Sequence, residues 1–395
     1  MVTARKIISK YKEFHESVFL AFLSSNKSLL LIILGVTSIK FILFLWGGLN
    51  FDFVAHPDET WLSIWHRWDG KVYTTIAASG YSPTDVKPDY VAFLSHFPPL
   101  YPLLIAGASA LTNLSLPHAG ILVSFSAIVA ASCLLFKLVY HDFKSERIAW
   151  LSVFFLNIYP TSYFTIGVHA ESVFLFLVIA SFYYLNKNKL ILSGLAAGGS
   201  LLTRIPGVIF IPFYFFYFLY VRKKRGHFDF KIIYPVLLCL TAFVIYLVVN
   251  KAYYGEFFYF LTEKLSFYTT KHLILPLKET FLQLLAINLS NVLDYEFMIR
   301  EGWNAIFTTF ALVITAVGIL YKVPWTYSVY SLSSILFFAS YSSGMSNARY
   351  TLPIFPIFIV LGHIKNKYLL AVLTVIFITL LFYFSKIYVN GTWAF

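Results

Sequence analysis

The sequence predicts an all-α protein: a polytopic bundle of transmembrane helices forming one domain. Three observations carry that prediction. Of its 395 residues, 59% are hydrophobic and only 12% are charged, whereas a soluble domain carries about 25% charged residues. So few charges cannot coat a soluble globule of this size. Aromatic residues reach 20%, with 42 Phe and 28 Tyr, a content suited to lipid-facing surfaces and interfacial belts. Lysines and arginines gather at the edges of apolar runs, the positive-inside pattern. The net charge of +12 would suggest nucleic acid in a soluble protein. No basic helix or stacking platform stands free of the membrane, so nucleic acid is excluded as a partner and membrane lipids are the expected surroundings.

The elements follow in order. Residues Thr3 to Ser24 read as a basic amphipathic helix on the cytoplasmic interface, giving a 1–27 N-terminal segment before a single 28–395 transmembrane domain. No cleavable signal peptide is evident, because the first apolar run comes late and no small-residue cleavage site follows it. Ser28 to Gly47 is the first span. Arg5, Lys6, Lys10, Lys12 and Lys27 precede it and put the N-terminus inside. Lys40 lies within the span and must snorkel or face the protein interior. The chain then leaves the bilayer from Leu49 to Phe97, a loop holding Asp52, Asp58, Glu59, Asp69, Asp85 and Asp89. By parity this loop lies outside.

Lys137, Lys144 and Arg147 mark one cytoplasmic turn, and Lys187 with Lys189 a second. Arg222-Lys223-Lys224-Arg225, Lys322, and Lys365 with Lys367 mark the rest. Apolar segments pair between these anchors: 148–166 with 171–186, 190–203 with 207–221, 232–250 with 302–321, and 326–341 with 350–363. The span 367–386 leaves the C-terminus outside. Residues 98–112 and 119–140 read as two helices where parity allows one crossing, so the shorter is read as a half-span lining a cavity. The total is about eleven crossings plus a partial helix. There is no internal repeat, and no GxxxxGK[ST] loop for nucleotide phosphates. Cys133 and Cys239 lie inside apolar runs and give no disulfide or metal signal.

This topology collects polar residues on the outer face, in the loops near 49–97 and 251–301 and in three tight turns. His96, His169, Glu171, Arg204, Glu256, Lys264, Lys271, His272 and Arg349 fall there. Ionisable groups at membrane depth are costly unless paired or hydrated, so their convergence predicts an outward polar cavity. Within Arg67-Trp68-Asp69-Gly70-Lys71-Val72-Tyr73, an Asp beside an indole suits general-base work. The same residues also fit an interfacial Trp with an Asp capping a helix that starts at Gly70. Pro160 should break a helix near the outer leaflet, after which His169-Ala170-Glu171-Ser172 opens the next. Glu171 there either favours the helix N-terminus or holds a sugar hydroxyl or an arginine. Arg204, in Thr203-Arg204-Ile205-Pro206-Gly207, wants an anion, which Glu171 or a phosphate could supply. Arg349 poses the same choice. His56 lies near Asp58, and Glu59 near His66, yet neither pair has strong ligand spacing. No cofactor is therefore assigned; a divalent metal stays open without being indicated.

Taken in order, these segments resemble the PIG-V family of mannosyltransferases, within the GT-C superfamily of membrane glycosyltransferases. The resemblance rests on RWDGKVYTTIAASGY at 67–81, FPPLYP at 97–102 and NIYPTSYFTIGVHAES at 157–172. It continues through SGLAAGGSLLTRIPG at 193–207 and ARYTLPIFP at 348–356. It implies a GT-C bundle, an extracytoplasmic site in the first outer loop, a polyprenyl- or dolichyl-phosphate mannose donor, and inverting transfer. Asp69 matches the family's acidic residue. The chain departs at His169-Ala170-Glu171, where the family usually reads Tyr-Ser-Glu. It departs again at His96-Phe97-Pro98-Pro99, where Phe-Phe-Pro is common.

The mechanism that follows puts Asp69 as the base. Arg204 and Arg349 are the first candidates for the donor phosphate, with Lys264, Lys271 and His272 as secondary ones. Glu171 and His169 orient sugar or acceptor, together with Arg67, Trp68, Tyr73 and His96. The acceptor is a glycolipid, a glycan or a protein. The compact loops point to a prokaryotic plasma membrane. The competing class is a lipid or solute transporter or flippase, which broken helices beside polar residues also fit.

Overall fold

The computed structural model describes residues 27–84, 87–225, 230–262, 274–288, 290–340, 346–393 and 395. The amphipathic stretch 3–24 and the candidates Lys264, Lys271 and His272 lie outside the described residues. Among the described residues, all regular structure is helical.

Helix α1 (Lys27–Leu49) is the first span and turns Lys40 inward. The Lys40 ammonium is buried and donates to the carbonyls of Asn157 (3.2 Å) and Ser162 (3.3 Å). Of the two alternatives read for Lys40, the structure therefore takes the interior one. At its C-terminal end α1 carries Gly47 and Gly48, where a Cβ would strike the rings of Trp65 and Trp61 at 2.5 and 2.1 Å. The loop after α1 is thus drawn tightly onto the end of the span. It carries α2 (Asp69–Ser79) and α3 (Pro88–Leu94).

Helices α4 (Leu100–Thr112) and α5 (Leu116–Phe143) meet at Asn113, whose left-handed φ of 57° closes the turn. Helix α4 has 13 residues and so reaches only about 20 Å, against roughly 30 Å of hydrocarbon. It has the length expected of a half-span. The following helices α6 (Glu146–Ile158), α7 (Glu171–Asn186) and α8 (Leu190–Thr203) are short as well. The expected run 148–166 stops at Ile158, because Tyr159 precedes Pro160 and takes an extended ψ of 139°. Every residue from Phe155 to Leu175 is buried. Irregular backbone is tolerated at this depth because protein, rather than lipid, surrounds it.

Small residues set the next contact. A Cβ on Gly194 would lie 2.6 Å from Pro235 Cα, and one on Gly198 would lie 3.0 Å from the Leu238 carbonyl. Helix α8 thus packs backbone to backbone on the helix carrying those residues. That helix, α10 (Tyr234–Tyr254), follows α9 (Phe210–Arg225). Helix α11 (Lys278–Ala286) and a π-helical turn at Met298–Gly302 lead into α12 (Trp303–Leu320) and α13 (Trp325–Phe338).

The expected span 350–363 is also interrupted. A helical turn, Asn347–Tyr350, precedes α14 (Pro356–Gly362), and Pro353 separates the two. Residues 351–362 are all buried. Helix α15 (Lys367–Val389) closes the bundle, its first turn capped by the Asn366 side chain at 2.9 and 3.1 Å from two amides. Among the described residues, six helical segments are long and apolar enough to cross a bilayer: 27–49, 116–143, 205–224, 230–254, 295–320 and 367–389. Two broken, largely buried segments, 155–175 and 347–362, carry His169, Glu171 and Arg349, three of the ionisable residues considered next.

Candidate active site

Four ionisable side chains from four elements form one chain of contacts. Asp69 is the first residue of α2, Glu171 the first of α7, Arg204 follows the last residue of α8, and Arg349 lies in the turn before α14. Arg349 donates through Nη1 to Asp69 Oδ2 at 2.8 Å and through Nε to Glu171 Oε1. Arg204 donates through Nη1 to the same Glu171 oxygen. Two carboxylates thus balance two guanidiniums. Burial grades along the chain: the Glu171 side chain is 0% exposed, Arg349 5%, and Asp69 26%. The site opens outward at Asp69.

Local structure explains the positions. Arg204 takes an extended φ/ψ of −150°/140° at the break between α8 and the 3₁₀ segment Ile205–Ile209, where Pro206 has no N–H to continue α8 and falls in the first turn of the new segment. Gly207 folds that turn back onto α8, where a Cβ would lie 2.3 Å from the Leu201 amide nitrogen. The turn bearing Arg349 is pinned by Asn304, whose Oδ1 accepts the Ala348 amide at 2.9 Å. Each guanidinium also has an aromatic floor, with Phe164 4.3 Å beneath Arg349 and Tyr350 5.2 Å beneath Arg204. Glu171 Oε2 is buried and has no hydrogen-bond partner.

A second relay backs the first. Arg349 Nη2 donates to His169 Nδ1 at 3.2 Å, and His169 Nε2 lies 2.7 Å from the Tyr388 hydroxyl. That hydroxyl donates to the Trp65 carbonyl at 3.1 Å. With Nδ1 accepting and Tyr388 already donating, His169 carries its proton on Nε2. Close backbone approach lets the outer loop reach this relay. A Cβ on Gly70 would lie 3.0 Å from the Val168 carbonyl, and one on Gly167 would lie 2.9 Å from the Trp65 carbonyl.

The other sequence-predicted residues among those described, Tyr73, Arg67, Trp68 and His96, fall in four places. Tyr73 is buried on α2 against Phe97 (5.1 Å) and Tyr101 (4.7 Å), and burial pushes its phenol up, away from ionisation. Arg67 pairs with Glu59 at 2.5 Å and donates to the Val389 carbonyl at 3.1 Å, joining the outer loop to the end of α15. Burial raises the Glu59 carboxyl, and the Ser63 and Arg67 hydrogen bonds outweigh it, leaving the group below its ordinary value. Trp68 is exposed and edge-on to Trp393 at 5.2 Å. Its φ of 48° and ψ of −120° are sparsely populated for a non-glycine residue, a strain of about 1–3 kcal/mol. His96 lies apart, with Nδ1 near the Phe93 carbonyl (3.3 Å) and the Ser95 hydroxyl (3.4 Å). The structure therefore joins Asp69, His169, Glu171, Arg204 and Arg349 directly, but not His96, Arg67 or Trp68.

Sequence reasoning missed Phe164, Tyr388 and Trp393. An aromatic at the end of an apolar helix reads as an interfacial anchor, and nothing in its spacing singles it out. Among the described residues, no group of three or more His, Cys, Asp and Glu side chains could hold a metal ion.

No family model and no curated protein matches the sequence. Solved structures do match. ArnT from Cupriavidus metallidurans, bound to undecaprenyl phosphate, superposes with a TM-score of 0.50 at 12% identity, over 85% of this chain and 59% of that one. The Archaeoglobus fulgidus oligosaccharyltransferase, in complex with Zn and sulfate, gives a TM-score of 0.50 at 13% identity, over 91% of this chain and 53% of that one. The match thus extends over little more than half of either neighbour. At such identities the likeness is one of fold: this chain is an integral membrane helical bundle with the fold of GT-C glycosyltransferases.

Proposed function

We propose that this chain is an inverting glycosyltransferase that moves a sugar from a polyprenyl-phosphate donor to an acceptor hydroxyl on the extracytoplasmic side of the membrane. The carrying observation is the state of Asp69. Its Oδ2 accepts from Arg349 at 2.8 Å while its carboxylate remains partly exposed at the mouth of a buried, charge-balanced cluster. Asp69 Oδ1 is the oxygen offered to an acceptor hydroxyl. The acceptor oxygen attacks the anomeric carbon as its proton passes to Asp69. The bond from that carbon to the phosphate oxygen breaks, and its electron pair leaves with polyprenyl phosphate.

The arginines answer the departing charge. Arg349 uses Nε, Nη1 and Nη2 on Glu171, Asp69 and His169, which holds its plane fixed. Arg204 gives one Nη1 hydrogen to Glu171. Its other guanidinium hydrogens suit a phosphate, whose negative charge grows in the transition state. A structural neighbour supports a lipid-phosphate donor: ArnT was solved bound to undecaprenyl phosphate. Mannose, and membership of the PIG-V family, rest on the sequence motifs at 67–81, 97–102, 157–172, 193–207 and 348–356. A prokaryotic plasma membrane with the N-terminus cytoplasmic belongs to the same reading. So does a glycolipid, glycan or protein acceptor.

The test is transfer by the purified protein in lipid, with polyprenyl-phosphate mannose labelled in the sugar and an extract of the native membrane as acceptor. Label should move to acceptor with inversion at the anomeric carbon. No transfer, with transbilayer movement of the labelled lipid instead, would replace this reading with a flippase.

A further inference from the structure

A second feature lies beside the proposed active site and plays no part in the chemistry above. Between α2, the residues after it and the start of α5 is a cavity of about 570 Å³, lined among others by Thr75, Ser79, Ser82, Thr84 and Leu116. That volume falls within the roughly 300–1,000 Å³ typical of small-ligand sites.

Its position is set by helix geometry. Thr74, Thr75 and Ala78 follow Asp69 by five, six and nine positions. At about 3.6 residues per turn they occupy the side of α2 opposite Asp69 and Tyr73. Tyr73 packs inward on Phe97 and Tyr101, while Thr74 is buried, Thr75 half-buried and Ala78 exposed along the opposite side. Ala78, Ser79, Ser82 and Thr84 are exposed, which leaves the cavity open to water.

Its chemistry is narrow. The described lining residues supply five hydroxyls and no charged side chain. Thr75 Oγ1 donates to the Lys71 carbonyl at 2.8 Å and so turns its lone pairs outward as acceptors. Thr74 Oγ1 is committed within the protein, to His66 Nε2 at 2.9 Å and to the Gly70 and Lys71 carbonyls at 3.1 Å, which leaves Thr75, Ser79, Ser82 and Thr84 as the hydroxyls facing the cavity. Pro83, Leu116, Pro117 and Ala78 supply the apolar remainder. Hydroxyl groups beside small apolar patches match a pyranose, which presents hydroxyls at its rim and C–H groups on its faces. A phosphate or carboxylate would find no countercharge in this lining.

We propose that this cavity is a neutral carbohydrate subsite, binding uncharged sugar units of a glycan on the face of α2 away from the reacting centre. It stands apart from the transfer reading, since it predicts binding without turnover.

The experiment titrates the purified full-length protein in nanodiscs with mannobiose and, for comparison, a mannuronic acid disaccharide of the same size. Saturable mannobiose binding is expected, with the acidic disaccharide at least tenfold weaker. Ala78→Trp fills the cavity at an exposed position and should abolish binding. The paired change Ser79→Ala with Ser82→Ala, which adds no bulk, should weaken binding about fivefold or more. Asp69→Asn should bind as the wild type does, separating this subsite from the transfer chemistry. Absent mannobiose saturation, equal binding of the acidic disaccharide, or unchanged binding by both cavity variants overturns the proposal.

Discussion

Arg349 bridges Asp69 and the bundle interior: its Nη1 donates to Asp69 Oδ2 at 2.8 Å across 280 positions of sequence. The same guanidinium holds Glu171 and His169. The orientation of the outer-loop carboxylate is thereby tied to two broken segments of the core. A disturbance at any of these residues should therefore be felt at the others.

Burial decides what each carboxylate contributes to stability. Glu171, 0% exposed, accepts from two guanidiniums, whereas Glu59, 28% exposed, accepts from one. Glu171→Gln leaves Asp69 as the one carboxylate against the two buried guanidiniums of Arg204 and Arg349, so a loss of about 3–5 kcal/mol is expected. Glu59→Gln should cost about 1 kcal/mol or less. Thermal unfolding of both variants in the same detergent checks this, and similar losses would refute the ranking.

Gly207 should tolerate no side chain. A Cβ there would lie 2.3 and 2.4 Å from backbone atoms of Leu201. Gly207→Ala must therefore shift the turn that follows Arg204, at a cost of about 1–3 kcal/mol. Gly35→Ala is the control, because nothing lies within 4 Å of its Cβ position. The two melting temperatures should separate, with Gly35→Ala close to the wild type.

His66 supplies a pH signature. Burial, the largest influence, holds its imidazole below the ordinary value, and the hydrogen bond with the Gly70 backbone only partly opposes this. The folded state thus binds its proton less readily than the unfolded chain. The resulting stability is present above about pH 6.5 and is lost as pH falls through the folded value. Thermal scans from pH 7.5 to pH 5 should show a steeper decline for the wild type than for His66→Gln. Parallel curves would assign the acid sensitivity elsewhere.

Much of this was legible in the sequence, for a physical reason. In so apolar a chain, an arginine or glutamate beside a proline-broken run has few ways to be solvated. Arg204, Glu171 and Arg349 therefore had to meet each other or a ligand. The structure satisfies Arg204 and Arg349 with Glu171, one of the two partners the sequence left open. Pro160 and Pro206 likewise announced the breaks that place His169 and Arg204. The depth of those breaks was not legible. Hydropathy reads 148–166 and 350–363 as plain spans, since buried core and lipid-facing helix share one composition. Tyr388 and Trp393 escaped for the same reason. Their roles come from where the end of α15 folds back onto the outer loop, a long-range contact with no local signature.

The most direct test of the central claim compares turnover by wild type and Asp69→Asn with polyprenyl-phosphate mannose. Asparagine keeps the size of the side chain and an oxygen for Arg349 but cannot take the acceptor proton. A fall in kcat of about 10²–10⁴-fold is expected, with donor affinity close to the wild type and a melting temperature lowered by less than in Glu171→Gln, since Asp69 is the more exposed partner of Arg349. A variant that transfers sugar at the wild-type rate would contradict the assignment of Asp69 as the base.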